Sequence, residues 1–136
     1  MKVLIDTNII LDFALERQPF YSDSEQVFIL AQHRQIEAYV SASTFGDLFY
    51  IIRKARGRDW TLQFLNRLAT FCQIATVDRS VISMALSANF KDFEDAIQYS
   101  TAIVNQLDSI VTRNPEDFPA VTPRILTPEQ LIQELM

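Results

Sequence analysis

Hydrophobic and polar positions along the chain form two kinds of segment. Short continuous apolar runs, of which Val3 to Ile5 is the first, are typical of strands that are covered on both faces. Longer segments carry apolar residues three and four positions apart, most clearly from Phe45 to Ala55, and are typical of amphipathic helices. The two kinds alternate along the chain. We therefore predict a three-layer α/β/α fold with a mostly parallel central sheet of about five strands.

Apolar runs and capping residues predict the bounds of the elements. The predicted strands are residues 3–5, 36–40, 73–77, 108–112 and 121–126, with Pro123 interrupting the last. The helices between them are predicted to be capped by Thr7 or Asn8, by Ser22 with Glu25, by a hydroxyl within 41–44, by Asp59, and by Asp92. A last helix is predicted to start with Pro128 at its first position. The predicted inward faces include Ala69, Leu86 and Phe93.

Composition predicts one globular domain that spans residues 1–136. The chain is 49% hydrophobic and has only two glycines and five prolines, which leaves little material for linkers. Its single cysteine, Cys72, excludes an internal disulfide and indicates a reducing compartment, most simply the cytoplasm. We expect a soluble, unprocessed protein, because the first residues lack a longer apolar region and a small-residue cleavage site, and no apolar run is long enough to cross a membrane.

The formal net charge of −5 argues against loose, charge-driven binding to nucleic acid. It does not exclude an enzyme that acts on nucleic acid, because several acids can be concentrated at one metal site.

Several acids occupy positions that an α/β fold brings together. Asp6 follows the first strand, Asp47 lies in the first turn of a helix, and Asp92 and Asp95 open another helix. Each has a simpler explanation, since acids cap helices and complement helix dipoles. Together they predict a carboxylate cluster at the carboxyl edge of the sheet. Such a cluster suits Mg²⁺ or Mn²⁺, which can activate water for phosphodiester hydrolysis.

Four motifs in order also carry a family resemblance. They are Leu4–Asn8, Ser43–Asp47, Asp92–Ala96, and Ile110–Asn114 with Asp117 and Phe118. With these motifs the chain resembles the PIN-domain ribonucleases, especially VapC-like toxins of bacterial type II toxin–antitoxin systems. The resemblance implies Mg²⁺- or Mn²⁺-dependent endonucleolytic hydrolysis of single-stranded RNA. It also implies a homodimer and a cognate antitoxin protein as partner.

The resemblance assigns roles to individual residues. It implies catalytic, metal-binding acids at Asp6, Asp47 and Asp95, and it places Asn114 at the fourth ligand position. Two of these positions depart from the family pattern, because Asp47 is more often Glu and Asn114 is often Asp. The lost negative charge at Asn114 is expected to weaken binding of a second metal. The residues with supporting roles are Thr7, Asn8, Asp92, Thr112 and Asp117.

Basic residues and two other functions complete the expectations. The cations that could hold an RNA backbone are Arg53, Lys54, Arg56 and Arg113, although the first three also complement a helix C-terminus. One alternative is a PIN-like domain with weakened catalysis that serves as a protein- or RNA-binding scaffold, which the neutral Asn114 keeps open. Another is a phosphoacceptor domain of the response-regulator type. That alternative is disfavoured because Arg113, rather than a lysine, follows Thr112.

Overall fold

Five parallel strands form the central sheet in the order β3–β2–β1–β4–β5. The structure is a computed structural model that describes residues 1–119 and 122–135. The strands are β1 (Lys2–Ile5), β2 (Glu37–Ser41), β3 (Gln73–Ala75), β4 (Ser109–Val111) and β5 (Arg124–Leu126). The predicted parallel sheet is therefore confirmed. The predicted start of the last strand, Val121, lies outside the described residues.

Seven α-helices connect or follow these strands in the described part of the chain. They are α1 (Thr7–Ala14), α2 (Tyr21–Gln32), α3 (Thr44–Arg56), α4 (Arg58–Phe71), α5 (Arg79–Ser87), α6 (Phe93–Val104) and α7 (Pro128–Leu135). A short 3-10 turn covers Pro115–Asp117. None of the helices within residues 1–119 and 122–135 has the length and apolar character that a membrane span requires.

Alternating strand residues divide the core into two parts, one on each face of the sheet. Val3 and Ile5 of β1 pack with the buried residues of α1, α2, α3, α4 and α7. Leu4 and Ile110 face the other way, where they pack with Ala102 of α6. The predicted three layers are confirmed, because a strand buried on both faces sends successive side chains to opposite layers.

Three predicted helix caps are wrong. Asp6, rather than Thr7 or Asn8, is the N-cap of α1, and its side chain accepts a hydrogen bond from the Thr7 backbone N–H. Helix α2 begins at Tyr21, so Ser22 lies inside the helix and cannot cap it. Gly57, not Asp59, precedes α4, and its φ of 85° allows the sharp turn between α3 and α4.

Three residues that were predicted to face inward are exposed. Ala69 is exposed, and Leu86 and Phe93 have exposed fractions of 70% and 46%. Helix α5 buries Val81 and Ala85 instead. Apolar spacing predicted the correct buried side of α5, but Leu86 lies at the margin of that side and reaches solvent.

Candidate acidic site

The site lies at β1, where the strand order changes from one side of the sheet to the other. Strand β1 is in the centre, β2 and β3 lie on one side of it, and β4 and β5 lie on the other. Asp6 follows β1, and Thr112 follows the neighbouring strand β4. In parallel α/β sheets, this position at the carboxyl ends of the strands is where ligands bind.

Asp6 is the best-fixed acid of the site. Its Oδ1 accepts a hydrogen bond from the Thr7 backbone N–H at 2.8 Å, and its Oδ2 accepts one from the Thr112 hydroxyl at 2.8 Å. The Thr112 hydroxyl in turn accepts the Asn114 backbone N–H at 3.2 Å. Asp6 is only 8% exposed. Its carboxylate therefore has a fixed position between the ends of two adjacent strands.

A cleft of about 260 Å³ opens in front of Asp6. Its acidic lining residues are Asp6, Asp47, Asp92, Glu94 and Asp95, and the other residues that line it are Thr7, Asn8, Leu11, Ile51 and Gln98. The structure thus places six of the residues named from the sequence at one cleft. Glu94 and Gln98 were not named there.

The first turn of α6 supplies three of the five acids. Asp92 is the N-cap, and its Oδ1 accepts the backbone N–H groups of Glu94 at 2.8 Å and Asp95 at 3.2 Å. This local bonding is the reason α6 begins at Phe93, and it also brings Glu94 and Asp95 to the cleft. The cap and the acidic site therefore use the same residues.

The acids of the cleft repel one another. The pKa of Asp95 is raised to about 7, first by burial and then by the negative charges of Asp92, Asp6, Asp117 and Glu94. The pKa of Glu94 is raised by burial first and then by the charge of Asp47, Asp92 and Asp6. Burial also raises the pKa of Asp6, against the lowering effect of its hydrogen bonds from Thr112 and Thr7. A cation would relieve this repulsion.

Three residues named from the sequence lie near the cleft without lining it. Asn114 is exposed, and its backbone supports the hydroxyl of Thr112. Thr112 is buried behind Asp6. Asp117, in the 3-10 turn, acts on Asp95 through its charge. The structure gives the Asn114 side chain no place in the lining of the cleft.

Arg113 has partners other than the RNA backbone that was expected for it. Its guanidinium Nε lies 3.0 Å from Oδ2 of Asp12, which is fully buried, and its Cζ lies 4.1 Å from the centre of the Phe20 ring. Arg113 therefore connects the residues after β4 to helix α1. Asp12 was not singled out from the sequence, although a lone charge within the apolar run from Ile9 to Ala14 marks it.

The other predicted cations lie in the last turn of α3. The Cζ atom of Arg53 lies 5.4 Å from the centre of the Tyr50 ring, and Lys54 is exposed. Arg56 donates hydrogen bonds to the Ala14 carbonyl and to Glu16. Of these cations, Lys54 and Arg53 have the freest side chains for an external anion.

The carboxylate oxygens that line the cleft are suitable ligands for a hard divalent cation. Mg²⁺ and Mn²⁺ prefer oxygen ligands, and a cation would offset the repulsion between carboxylates that helps to raise the pKa values of Asp95 and Glu94. Within residues 1–119 and 122–135, no three Asp, Glu, His or Cys side chains already form a group that could hold one ion. Asp47 and Glu94 are exposed, so their side chains are free to turn towards Asp6, whereas Asp92 is held by its hydrogen bonds as the helix cap.

Comparisons with known proteins agree with this fold. The chain is 23% identical to ribonuclease VapC1 of Aquifex aeolicus over 137 residues, which cover 97% of this chain and 94% of that protein. A toxin–antitoxin complex from Klebsiella pneumoniae contains a chain with a TM-score of 0.71 and 22% identity, with 93% of this chain and 97% of that chain covered. The DNA-bound VapBC complex of Salmonella typhimurium contains a chain with a TM-score of 0.70 and 18% identity, with 94% of this chain and 98% of that chain covered.

A sequence profile of the PIN domain matches residues 2–116, which is most of the chain and includes all five acids of the cleft. The profile ends before β5 and α7, the last elements of the fold. The parallel sheet, the acidic cleft and this match together show that the chain belongs to the PIN domain family.

Proposed function

We propose that this protein is a metal-dependent endoribonuclease that hydrolyses phosphodiester bonds of single-stranded RNA. The observation that carries the proposal is the convergence of five acids from three chain segments on one cleft at the carboxyl edge of the sheet. The similarity to a ribonuclease, VapC1, supports RNA as the substrate.

We assign a role in metal binding to each acid of the cleft. Asp6 holds its position through Thr7 and Thr112 and is the fixed ligand. The acids that complete the metal site are Asp47, Asp95 and Glu94, with Asp92 as the residue that orients the last two. A bound Mg²⁺ or Mn²⁺ would neutralise charge at the scissile phosphate and lower the pKa of water at the site. Glu94 would supply the negative charge that Asn114 lacks.

The substrate class is tested with three labelled oligonucleotides of one sequence in the presence of Mg²⁺. We expect cleavage of single-stranded RNA, and little or none of the same RNA as a duplex or of the matching single-stranded DNA. The cleft, with a volume of about 260 Å³, has room for a phosphate group of a single strand. Intact RNA after long incubation with Mg²⁺ and with Mn²⁺ would refute the proposed function.

Divalent metal is expected to raise the melting temperature of the purified protein, and more so at pH 8 than at pH 6. The folded protein holds a proton on Asp95 up to a pKa of about 7, whereas the unfolded chain loses it near pH 4. Above pH 7 the folded state carries an extra repelled charge, which a cation relieves. At a tenfold excess over its dissociation constant, the ion adds about 1.4 kcal/mol, or roughly 4 °C.

Thermal melts by differential scanning fluorimetry measure this shift. Asp95→Asn should lose most of it, while Asp59→Asn provides a matched control, because Asp59 is also an acid in the first turn of a helix. An equal Mg²⁺ shift in the wild type and in Asp95→Asn would place the ion elsewhere.

We include an antitoxin partner, a homodimer and a cytoplasmic location in the proposal. Two of the similar structures are toxin–antitoxin complexes, one from Klebsiella pneumoniae and one from Salmonella typhimurium. Tyr50, Ile51 and Trp60 expose apolar surface on α3 and α4, which is the kind of surface that partners cover. Light scattering of the purified chain, alone and co-expressed with its neighbouring gene product, tests both assemblies.

A scaffold without turnover is the second candidate, and the exposed, neutral Asn114 is the observation that favours it. The two functions differ in whether RNA is cleaved. A scaffold would bind RNA or protein and leave the phosphodiester bonds intact in the presence of either Mg²⁺ or Mn²⁺.

A further inference from the structure

A buried glutamine lies directly beneath the acidic cleft. Gln98, on α6, is only 5% exposed and lines the same cleft as the five acids. Its amide nitrogen Nε2 lies 3.2 Å from the Thr7 hydroxyl oxygen and 3.1 Å from the Thr44 hydroxyl oxygen. The two hydroxyl oxygens are 3.1 Å apart. These three side chains come from α6, α1 and α3, the helices whose first turns surround the cleft.

The number of hydrogens in this triangle limits how it can be arranged. The Gln98 amide nitrogen carries two N–H donors and lies within hydrogen-bond distance of both threonine oxygens. Both hydroxyls therefore act as acceptors from Gln98. Each keeps one hydrogen, and only one of those two hydrogens can lie between the two oxygens.

Burial decides which hydroxyl donates to the other. Thr44 is 1% exposed, and within the described residues its hydroxyl has only Gln98 and Thr7 as hydrogen-bond partners. If Thr7 donated to Thr44, the Thr44 hydrogen would be buried without an acceptor, which costs about 1–3 kcal/mol. The favoured arrangement has Thr44 donating to Thr7. The remaining hydrogen then belongs to Thr7, which lines the cleft.

We propose that Gln98 is a positioning residue that, with Thr44, turns the Thr7 hydroxyl into a donor directed into the acidic cleft. The group that this donor fits is an anionic phosphate oxygen of the bound strand. In a cleft lined by carboxylates, a fixed neutral donor would bind such an oxygen and stabilise the charge that develops on it. This inference rests on the proposed ribonuclease function and adds to it a residue that acts through Thr7.

A double-mutant cycle on RNA cleavage separates positioning from structural support. Gln98→Met keeps the length of the side chain and removes both N–H donors. We expect it to lower kcat about tenfold with little change in KM. The same change should have no further effect on kcat in a Thr7→Val background, and its full effect in a Thr7→Ser background, where the hydroxyl remains. Gln63→Met, at an exposed helical glutamine, is the matched control.

A measurement without metal or RNA tests the hydrogen bonds themselves. In the folded protein, the Gln98 side-chain amide hydrogens should exchange with solvent far more slowly than those of Gln63 in ¹⁵N-resolved spectra. Thr7→Val combined with Thr44→Val should remove that protection.

The outcomes distinguish the two proposals. If the wild type leaves RNA intact, the proposed function fails, and the exchange measurement still decides whether Gln98 holds the threonines. Unprotected Gln98 hydrogens, or an equal loss of kcat for Gln98→Met in the Thr7→Val and Thr7→Ser backgrounds, would overturn the inference.

Discussion

Asp95→Asn is expected to reduce the rate of RNA cleavage at least about 100-fold, and Asp6→Asn by a similar factor. Each change replaces a charged ligand with a neutral amide at the centre of the cleft, and a loss of about 2.7 kcal/mol of transition-state stabilisation corresponds to that factor. Asp95 is half-buried among the other acids, and Asp6 is fixed by two hydrogen bonds. Single-turnover cleavage of a labelled RNA measures the effect.

Folding controls accompany this prediction. Removal of a repelled carboxylate at Asp95 should leave the metal-free protein at least as stable as the wild type at pH 8, since its raised pKa reflects an unfavourable charge. Asp59→Asn should cleave RNA at the wild-type rate. An Asp95→Asn protein that cleaves RNA within about threefold of the wild type would show that the site is wrongly assigned.

Asp12→Ala is expected to lower the free energy of unfolding by about 3 kcal/mol. Asp12 is fully buried, and burial raises the pKa of its carboxyl, with Arg113 and then Arg17 acting in the opposite direction. The substitution leaves the Arg113 guanidinium, whose side chain is 23% exposed, without the carboxylate that lies 3.0 Å away. It also leaves a cavity between α1 and the residues that follow β4.

Urea denaturation measures this loss, and a double variant shows its cause. Asp12→Leu with Arg113→Met replaces the ion pair with apolar groups and should recover much of the stability that either single change removes. Arg58 and Asp59 form an exposed ion pair, so Asp59→Ala should leave the urea midpoint unchanged. A midpoint for Asp12→Ala that equals that of the wild type would mean that the ion pair does not stabilise the fold.

Much of the fold could be predicted because β1 and β4, at the middle of the sheet, are buried on both faces. The apolar run from Val3 to Ile5 identified the strand β1, and Asp6 directly after it identified the carboxyl edge of the sheet. Asp47 and Asp95 were then expected at the same edge, and they line one cleft with Asp6. These inferences depend only on local periodicity and on the geometry of parallel sheets.

The missed residues depend on contacts between distant parts of the chain. In the sequence, nothing distinguishes Gln98 from the other polar residues of α6. Only folding brings Thr7 and Thr44 within hydrogen-bond distance of its amide. Glu94 was not named as a site residue because its neighbours Asp92 and Asp95 already had the spacing of a helix cap. Asp12 and Arg113 are separated by about a hundred residues in the sequence, so their ion pair could not be predicted from periodicity.

The dependence of the RNA cleavage rate on Mg²⁺ concentration tests the central claim most directly. That claim is that the carboxylates around Asp6 act together with a divalent ion. For the wild type, we predict a rate near zero in EDTA that rises with Mg²⁺ to a plateau, and Asp47→Asn should require a higher Mg²⁺ concentration to reach half its plateau. A wild-type cleavage rate that is the same in EDTA as in millimolar Mg²⁺ would contradict the account.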